Sequence, residues 1–398
     1  MTEALPLLQA LMRGDTDASD ESRIIDLLRA APDDDLNALI GGVDVDALFS
    51  DVDDRAFGPD NRTVLLTLLG QERRDALTVA NQARVIHALQ TGRTDRAVEE
   101  VIADALCSRR GLELTALKNE LNLRGDEHDL EGLVFLDVDS PDIRTRILDH
   151  FASEASALIR EGQGRDVKVL SDIDDTAFSK LHEKRYPKGT LIPGVLALYQ
   201  ALDDGLGEVT MASDDLTFVT ARPKDAFGFI ETHTKGVLAK AGIARTSVLQ
   251  GGFTNLVSKE LMAKGKLANI SRYLSLFPEY DLLWIGDSGQ GDIITGLALL
   301  AEIPERTRLV IIHDVVATPA EDRETLRAQG VHVVDTYVAA GVIAHESGLV
   351  SDAGLASIVS ATLDEFDQVE WESPEQEEAT RALLASDLAR VPAGLVTT

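Results

Sequence analysis

Four stretches of the chain put reactive side chains at short, regular spacing. VKVLSDIDDT (167–176) carries Asp172, Asp174 and Asp175 after an apolar run. LTFVTARP (216–223) places Thr220 and Arg222 just past another such run. KLANISRYLSLF (266–277) is expected to be a helix opened by Lys266, and LLWIGDSGQGD (282–292) ends a third apolar run on Asp287 and Asp292. A carboxylate can attack phosphorus and carry the phosphoryl group, provided that its charge is shielded from an anionic substrate. Mg²⁺ provides that shielding when a few carboxylates hold it in oxygen-only geometry. Asp172, Asp174 and Asp287 are the expected ligands, with Asp292 a weaker candidate that would act through the surrounding shell. A second carboxyl two residues after the first, Asp174, can protonate a leaving oxygen and then deprotonate water. Thr220 can donate to a phosphate oxygen, Arg222 can add a bidentate contact, and Lys266 supplies fixed positive charge to nucleophile and phosphoryl group.

Such groups work only if elements bring them together. From about residue 166, β-rich runs (VKVLS, LTFVTA, TSVLQGG, LLWIGD, RLVIIHD, VHVVD) alternate with helical stretches such as PGVLALYQAL, KGVLAKAG, TGLALLAEI and AEDRETLRAQ. Strand–helix alternation implies a doubly wound parallel α/β sheet covered on both faces, with reactive groups at the carboxyl ends of strands. Residues 1–160 differ. ESRIIDLLRAA, ANQARVIHALQTG, DRAVEEVIADALCSRRG and ELTALKNELN have apolar residues at three- and four-residue spacing, often behind a Ser, Thr or Asp fit to cap a helix. The expectation is an all-α N-terminal domain (1–160), a junction at REGQGRD (160–166), the α/β domain (166–352) and an acidic helical tail (353–398).

The 398 residues carry 38 Lys+Arg against 68 Asp+Glu, a net charge of −30. That balance disfavours broad nucleic-acid binding and adsorption to anionic membranes by bulk charge. The single cysteine, Cys107, excludes an intrachain disulfide and any Cys-cluster metal site. The start has no signal-peptide pattern and no apolar run approaches a membrane span, so a cytoplasmic protein with at most peripheral membrane contact is expected. DVDSP (137–141) imitates the Asp172 stretch but has no ordered partners. The acidic run at 44–54 lacks the Gly and Glu of a calcium loop. Both are expected to be solvated.

The four stretches resemble the haloacid-dehalogenase-like phosphohydrolase superfamily. Within it, the similarity is closest to the catalytic domain of the phosphatidate phosphatases named after the actin patch protein. It spans about residues 166–352 and rests on SDIDDT, IPGVLALYQAL, the block from Lys266 to Asp292, and VVDTYVAAGVIAHESGLVS. By that resemblance Asp172 is the nucleophile, Asp174 the acid/base, Thr220 the phosphate contact, Lys266 the charge-stabilising lysine and Asp287 the Mg²⁺ ligand. The second motif departs from the family's Ser-Pro-Trp: TARP is nearer to the Ser-Ala-Arg of lipin-like enzymes. The resemblance implies a Mg²⁺-dependent phosphomonoesterase acting on a phosphorylated lipid or small molecule. The alternatives are a binding or regulatory module on the same fold, and a phosphatase of a phosphoprotein, sugar phosphate or nucleic-acid end. About 16 residues separate Thr176 from Pro193 and about 45 separate Thr220 from Lys266, too few for a large cap domain. In the insert SKLHEKRYPKG (179–189), Lys180, His182, Lys184, Arg185 and Lys188 are expected to attract an anionic substrate.

Overall fold

The computed structural model describes residues 4–14, 16–52, 60–91, 94–122, 129–206, 216–219, 247–249 and 258–395. They form two compact units: residues 1–162 with 275–278, and residues 163–274 with 279–398.

The described residues of the first unit are helical, with no strand. Its acidity has a local cause. Asp17, Asp44, Asp60, Asp95 and Asp129 each precede a helix and accept amide N–H groups of its first turn, which would otherwise lack partners. Asp44, from the acidic run, is thus a helix cap. Asp137, in the DVDSP imitation, accepts from Gln90 Nε2 (2.7 Å).

The second unit is built on six parallel strands: β1 (Val167–Ser171), β2 (Leu216–Val219), β3 (Ser247–Leu249), β4 (Asp281–Asp287), β5 (Thr307–His313) and β6 (Val331–Val334). Their order is β3-β2-β1-β4-β5-β6. All six match sequence runs read as strands. β4 is buried along its whole length, as a sheet covered on both faces requires. Alternation along the strands sorts the two faces. Val169, Phe218, Leu283, Ile285 and Ile311 share one core with the helices Val195–Asp204, Tyr337–Glu346 and Asp352–Phe366. The intervening residues face the other way: Trp284 and Val310 lie against Gly296 of the helix Asp292–Glu302, and Thr217 donates to Tyr273 of the helix Lys259–Leu276.

The acidic helical stretch expected after 352 packs on the α/β part of the chain: Leu355, Ile358, Phe366, Leu384 and Val391 belong to the core of the second unit. Trp371 packs on Phe366 and Tyr186. Lys266 does not open its helix; the helix begins at Lys259 and runs through Gly265. The stretch KGVLAKAG lies outside the described residues.

In this strand order the chain reverses direction across the sheet between β1 and β4. The crevice beyond the carboxyl ends at such a switch point is where open α/β sheets bind ligands. Asp172 follows β1 and Asp287 ends β4, so the order alone brings these two motifs side by side.

Candidate active site

Ser171 pairs with Ile285 in the β1–β4 register, and the Asp172 N–H continues the ladder to the Ile285 carbonyl (2.9 Å). Asp172 thereby stays buried while its side chain leaves the sheet edge. Its Oδ1 accepts from Lys266 Nζ at 2.7 Å, and Oδ2 has no hydrogen-bond partner among the described residues. Lys266, 2% exposed, also reaches Asp292 Oδ1 at 2.5 Å and lies over the Trp284 ring. Asp292 Oδ2 in turn accepts the Asp287 N–H (3.1 Å). Ligand oxygens of Asp172, Asp287 and Asp292 all lie within 4.8 Å of one another. The adjacent Lys264 is exposed.

The glycines of IGDSGQGD make this approach sterically feasible. A Cβ on Gly286 would lie 2.4 Å from Asp292 Cβ, and one on Gly291 would lie 2.6 Å from the Lys259 carbonyl. The first contact would push Asp292 off the end of β4, and the second would push the loop away from the helix that carries Lys266. Asp287 is held in turn by its own loop. Its Oδ1 accepts from the amides of Gly289 (2.6 Å) and Gln290 (3.0 Å), and Oδ2 from Gln290 Nε2 (3.2 Å).

Three carboxylates in a dry site disfavour full ionisation. Burial, then the neighbouring Asp292 and Asp172, pushes Asp287 well above the ordinary carboxylate range. Asp172 is pushed up to about 7, chiefly by burial and further by Asp292 and Asp174, while Lys266 opposes the rise. Burial would lower Lys266, but its two carboxylate partners outweigh that and hold it protonated.

Asp174 stands differently. Its carboxylate pairs with Lys180 (2.8 Å) and is outside both groupings of ligand atoms that are close enough to share an ion. The second grouping joins Asp175, His182 and Asp287. β2 ends immediately before Thr220; Thr220 and Arg222 lie outside the described residues.

Sequence reasoning passed over several residues that shape the site. Asp175 adopts φ +61° and is fully buried. It accepts the amides of Lys180, Leu181, His182 and Glu183, folding the insert back under the motif. An Asp tolerates this left-handed backbone better than most residues. Arg185, expected to face an anionic substrate, is instead consumed internally. It donates to Glu183 Oε2 (2.6 Å) and to the Asp335 carbonyl (2.8 Å). Burial would raise Glu183, but hydrogen bonds from His313 and Arg185 outweigh it and hold its carboxyl down to about 2. The cue was the acid two residues from the arginine.

Comparison with known proteins bears on this geometry directly. Residues 167–314 match the family model "phosphatidate phosphatase APP1, catalytic domain". By that match the segment is similar to this family's catalytic domain, and the domain is a phosphatase. The match runs from β1 to the end of β5 and contains Asp172, Asp174, Lys266, Asp287 and Asp292. Residues 1–166 lie outside it, as do residues after 314. No curated protein and no solved structure matches the chain. Among the described residues, no helix is long and apolar enough to cross a membrane.

Proposed function

We propose that the protein hydrolyses phosphatidate to diacylglycerol and inorganic phosphate, with Mg²⁺ and through a phosphorylated Asp172. The observation that carries this reading is the convergence of Asp172, Asp287 and Asp292 around one ammonium, Lys266.

The donor set fits a divalent cation. Three carboxylates against one lysine leave two negative charges in a buried volume, and such an excess is costly without a counter-ion. Asp172 Oδ2 is buried without a hydrogen-bond partner among the described residues. An all-oxygen set suits Mg²⁺. Asp172, Asp287 and Asp292 would hold the ion, and when bound it supplies positive charge for the phosphoryl oxygens.

The side chains divide the work. Lys266 favours the anionic form of Asp172 and fixes Oδ1, so that Asp172 is oriented before the substrate arrives. An Asp172 oxygen forms a bond to phosphorus and the bond from phosphorus to the glyceride oxygen breaks. Asp174 gives that oxygen its proton. In the second half, Asp174 takes a proton from water, the water oxygen bonds to phosphorus, and the bond to Asp172 breaks. Lys180 pairs with Asp174 at 2.8 Å and restrains its carboxylate. Thr220 and Arg222 keep their assignment as phosphate contacts on sequence grounds.

The test is phosphate release from phosphatidate, alongside a phosphopeptide and a sugar phosphate, with Mg²⁺ or with chelator. Mg²⁺-dependent turnover of phosphatidate that vanishes in Asp172→Asn supports the reading. Turnover of the sugar phosphate or phosphopeptide alone would overturn the substrate. Metal-independent turnover, or none at all in a folded protein, would overturn the mechanism.

A further inference from the structure

We infer that the carboxyl edge of the sheet is a docking surface for a lipid bilayer, an inference that rests on the phosphatidate reading above. Eight large apolar side chains are exposed among the described residues, and five of them belong to the second unit. Four of those five stand on one edge. Leu181 (48% exposed) is in the loop after β1, and Val316 (50%) in the loop after β5. Leu261 (50%) and Ile294 (37%) lie in the first turns of the helices Lys259–Leu276 and Asp292–Glu302. The helix Lys259–Leu276 leads down to the start of β4, and its first turn lies beside Gly291 of the loop after β4. All four therefore stand at the end of the sheet where Asp172 and Asp287 sit. The fifth, Leu206 (62%), follows the helix Val195–Asp204 at the opposite edge.

Isolated exposed apolar residues are ordinary, but their concentration around the mouth of one site is not. Two are also fixed in place. The Leu181 N–H donates to Asp175 Oδ1 (2.7 Å) and the Val316 N–H to Asp314 Oδ1 (3.3 Å), so the backbone that presents each side chain is anchored to a buried carboxylate.

Charge selects the partner. The chain carries −30 and an anionic membrane repels most of it. Beside the four apolar side chains the balance among the described residues is reversed. Within three residues of the four apolar side chains, the accessible charges are Lys180, Lys184, Lys259 and Lys264 against Glu260. Glu183, Asp292 and Asp314 are buried in ion pairs. Lys180 is itself paired with Asp174, and Glu321 and Asp322 lie beyond Val316. Apolar side chains with lysines beside them suit the boundary between acyl chains and anionic headgroups, where lysine stems snorkel. Docked this way, the catalytic carboxylates face the headgroup layer and the substrate phosphate stays at the depth where it resides in the membrane.

The test compares the full chain with the double variant Leu181→Asp/Leu261→Asp and with Leu206→Asp. Sedimentation with phosphatidylcholine vesicles containing phosphatidate reads docking, and soluble dioctanoyl phosphatidate with Mg²⁺ reads chemistry. The double variant is expected to lose about tenfold or more in vesicle partitioning and in turnover on vesicles. Turnover of the soluble lipid is expected to be unchanged, and Leu206→Asp to behave as the unaltered chain. Equal vesicle binding by all three proteins, or none by the unaltered chain, would overturn the docking surface even if the soluble lipid is hydrolysed. Vesicle binding that depends on Leu181 and Leu261 without hydrolysis of either lipid would sustain the surface and overturn the substrate.

Discussion

Replacing Lys266 by Met tests whether its ammonium is what allows three acids to coexist in the site. The lysine is 2% exposed and lies 2.7 Å from Asp172 and 2.5 Å from Asp292. At an effective dielectric of about 20, each attraction is worth roughly 6 kcal/mol before the cost of burial is subtracted. Measured losses on breaking buried pairs are smaller, about 3–5 kcal/mol, because desolvation of the missing charge is recovered. Methionine fills the volume but leaves Asp172 and Asp292 facing each other. At the 4.8 Å limit of their grouping, that repulsion is roughly 3–4 kcal/mol if both are ionised. It is relieved when one takes a proton. The variant should therefore lose about 3–5 kcal/mol near pH 8 and clearly less near pH 5. Urea unfolding in chelator, followed by tryptophan fluorescence, reads this cleanly, because both tryptophans, Trp284 and Trp371, belong to the second unit. Added Mg²⁺ should restore part of the loss. A deficit below about 1 kcal/mol, or the same deficit at both pH values, would refute the electrostatic reasoning.

Asp172→Asn should lower phosphate release by at least about a thousandfold while the thermal unfolding temperature in chelator stays level or rises. Gly286→Ala forces a Cβ to within 2.4 Å of Asp292 and should cost about 1–3 kcal/mol in urea unfolding and weaken Mg²⁺ binding by calorimetry. Asp175→Ala strands four amides and places Ala at φ +61°, for a loss of about 2–4 kcal/mol by chemical denaturation. The pH dependence has two opposite signs. In chelator, Asp172, raised to about 7 in the folded state, stabilises most below its unfolded value of about 4, and that contribution is lost as pH rises through about 7. A cation must displace the same proton, so calorimetric Mg²⁺ affinity should climb through about pH 7.

What the sequence disclosed depended on whether the cue was local. The strands were legible because each is a short β-branched or aliphatic run closed by a polar residue, and Asp172 and Asp287 because each sits at such a closure. The alternation of strand and helix then fixed which sheet edge they share. Lys266 was found by residue type, but its helix was started too late. Gly265 reads as a breaker, yet here the packing of the helix keeps it in place. Residue type alone does not separate Lys266 from Lys264, since only the helical phase decides which ammonium is buried. Asp292 ranked as the weaker candidate because its distance from Asp287 in sequence says nothing of the loop that folds it back onto Lys266. The insert at 179–189 read as a cationic lure. Its charges were legible, but the partners of Arg185 were not, because His313 and Asp335 come from the far end of the domain. Residues 353–395 read as an acidic tail because their acidic surface residues dominate the pattern. Leu355, Ile358, Phe366, Leu384 and Val391 are what dock them.

The central claim is that Asp172, Asp287 and Asp292 hold one divalent ion beside Lys266. Anomalous diffraction from crystals grown with Mn²⁺ in place of Mg²⁺ tests it most directly. The account predicts a single strong peak bounded by those three carboxylates, absent in Asp287→Asn. A peak seated instead between Asp175 and His182, or none in crystals that diffract well, would contradict it.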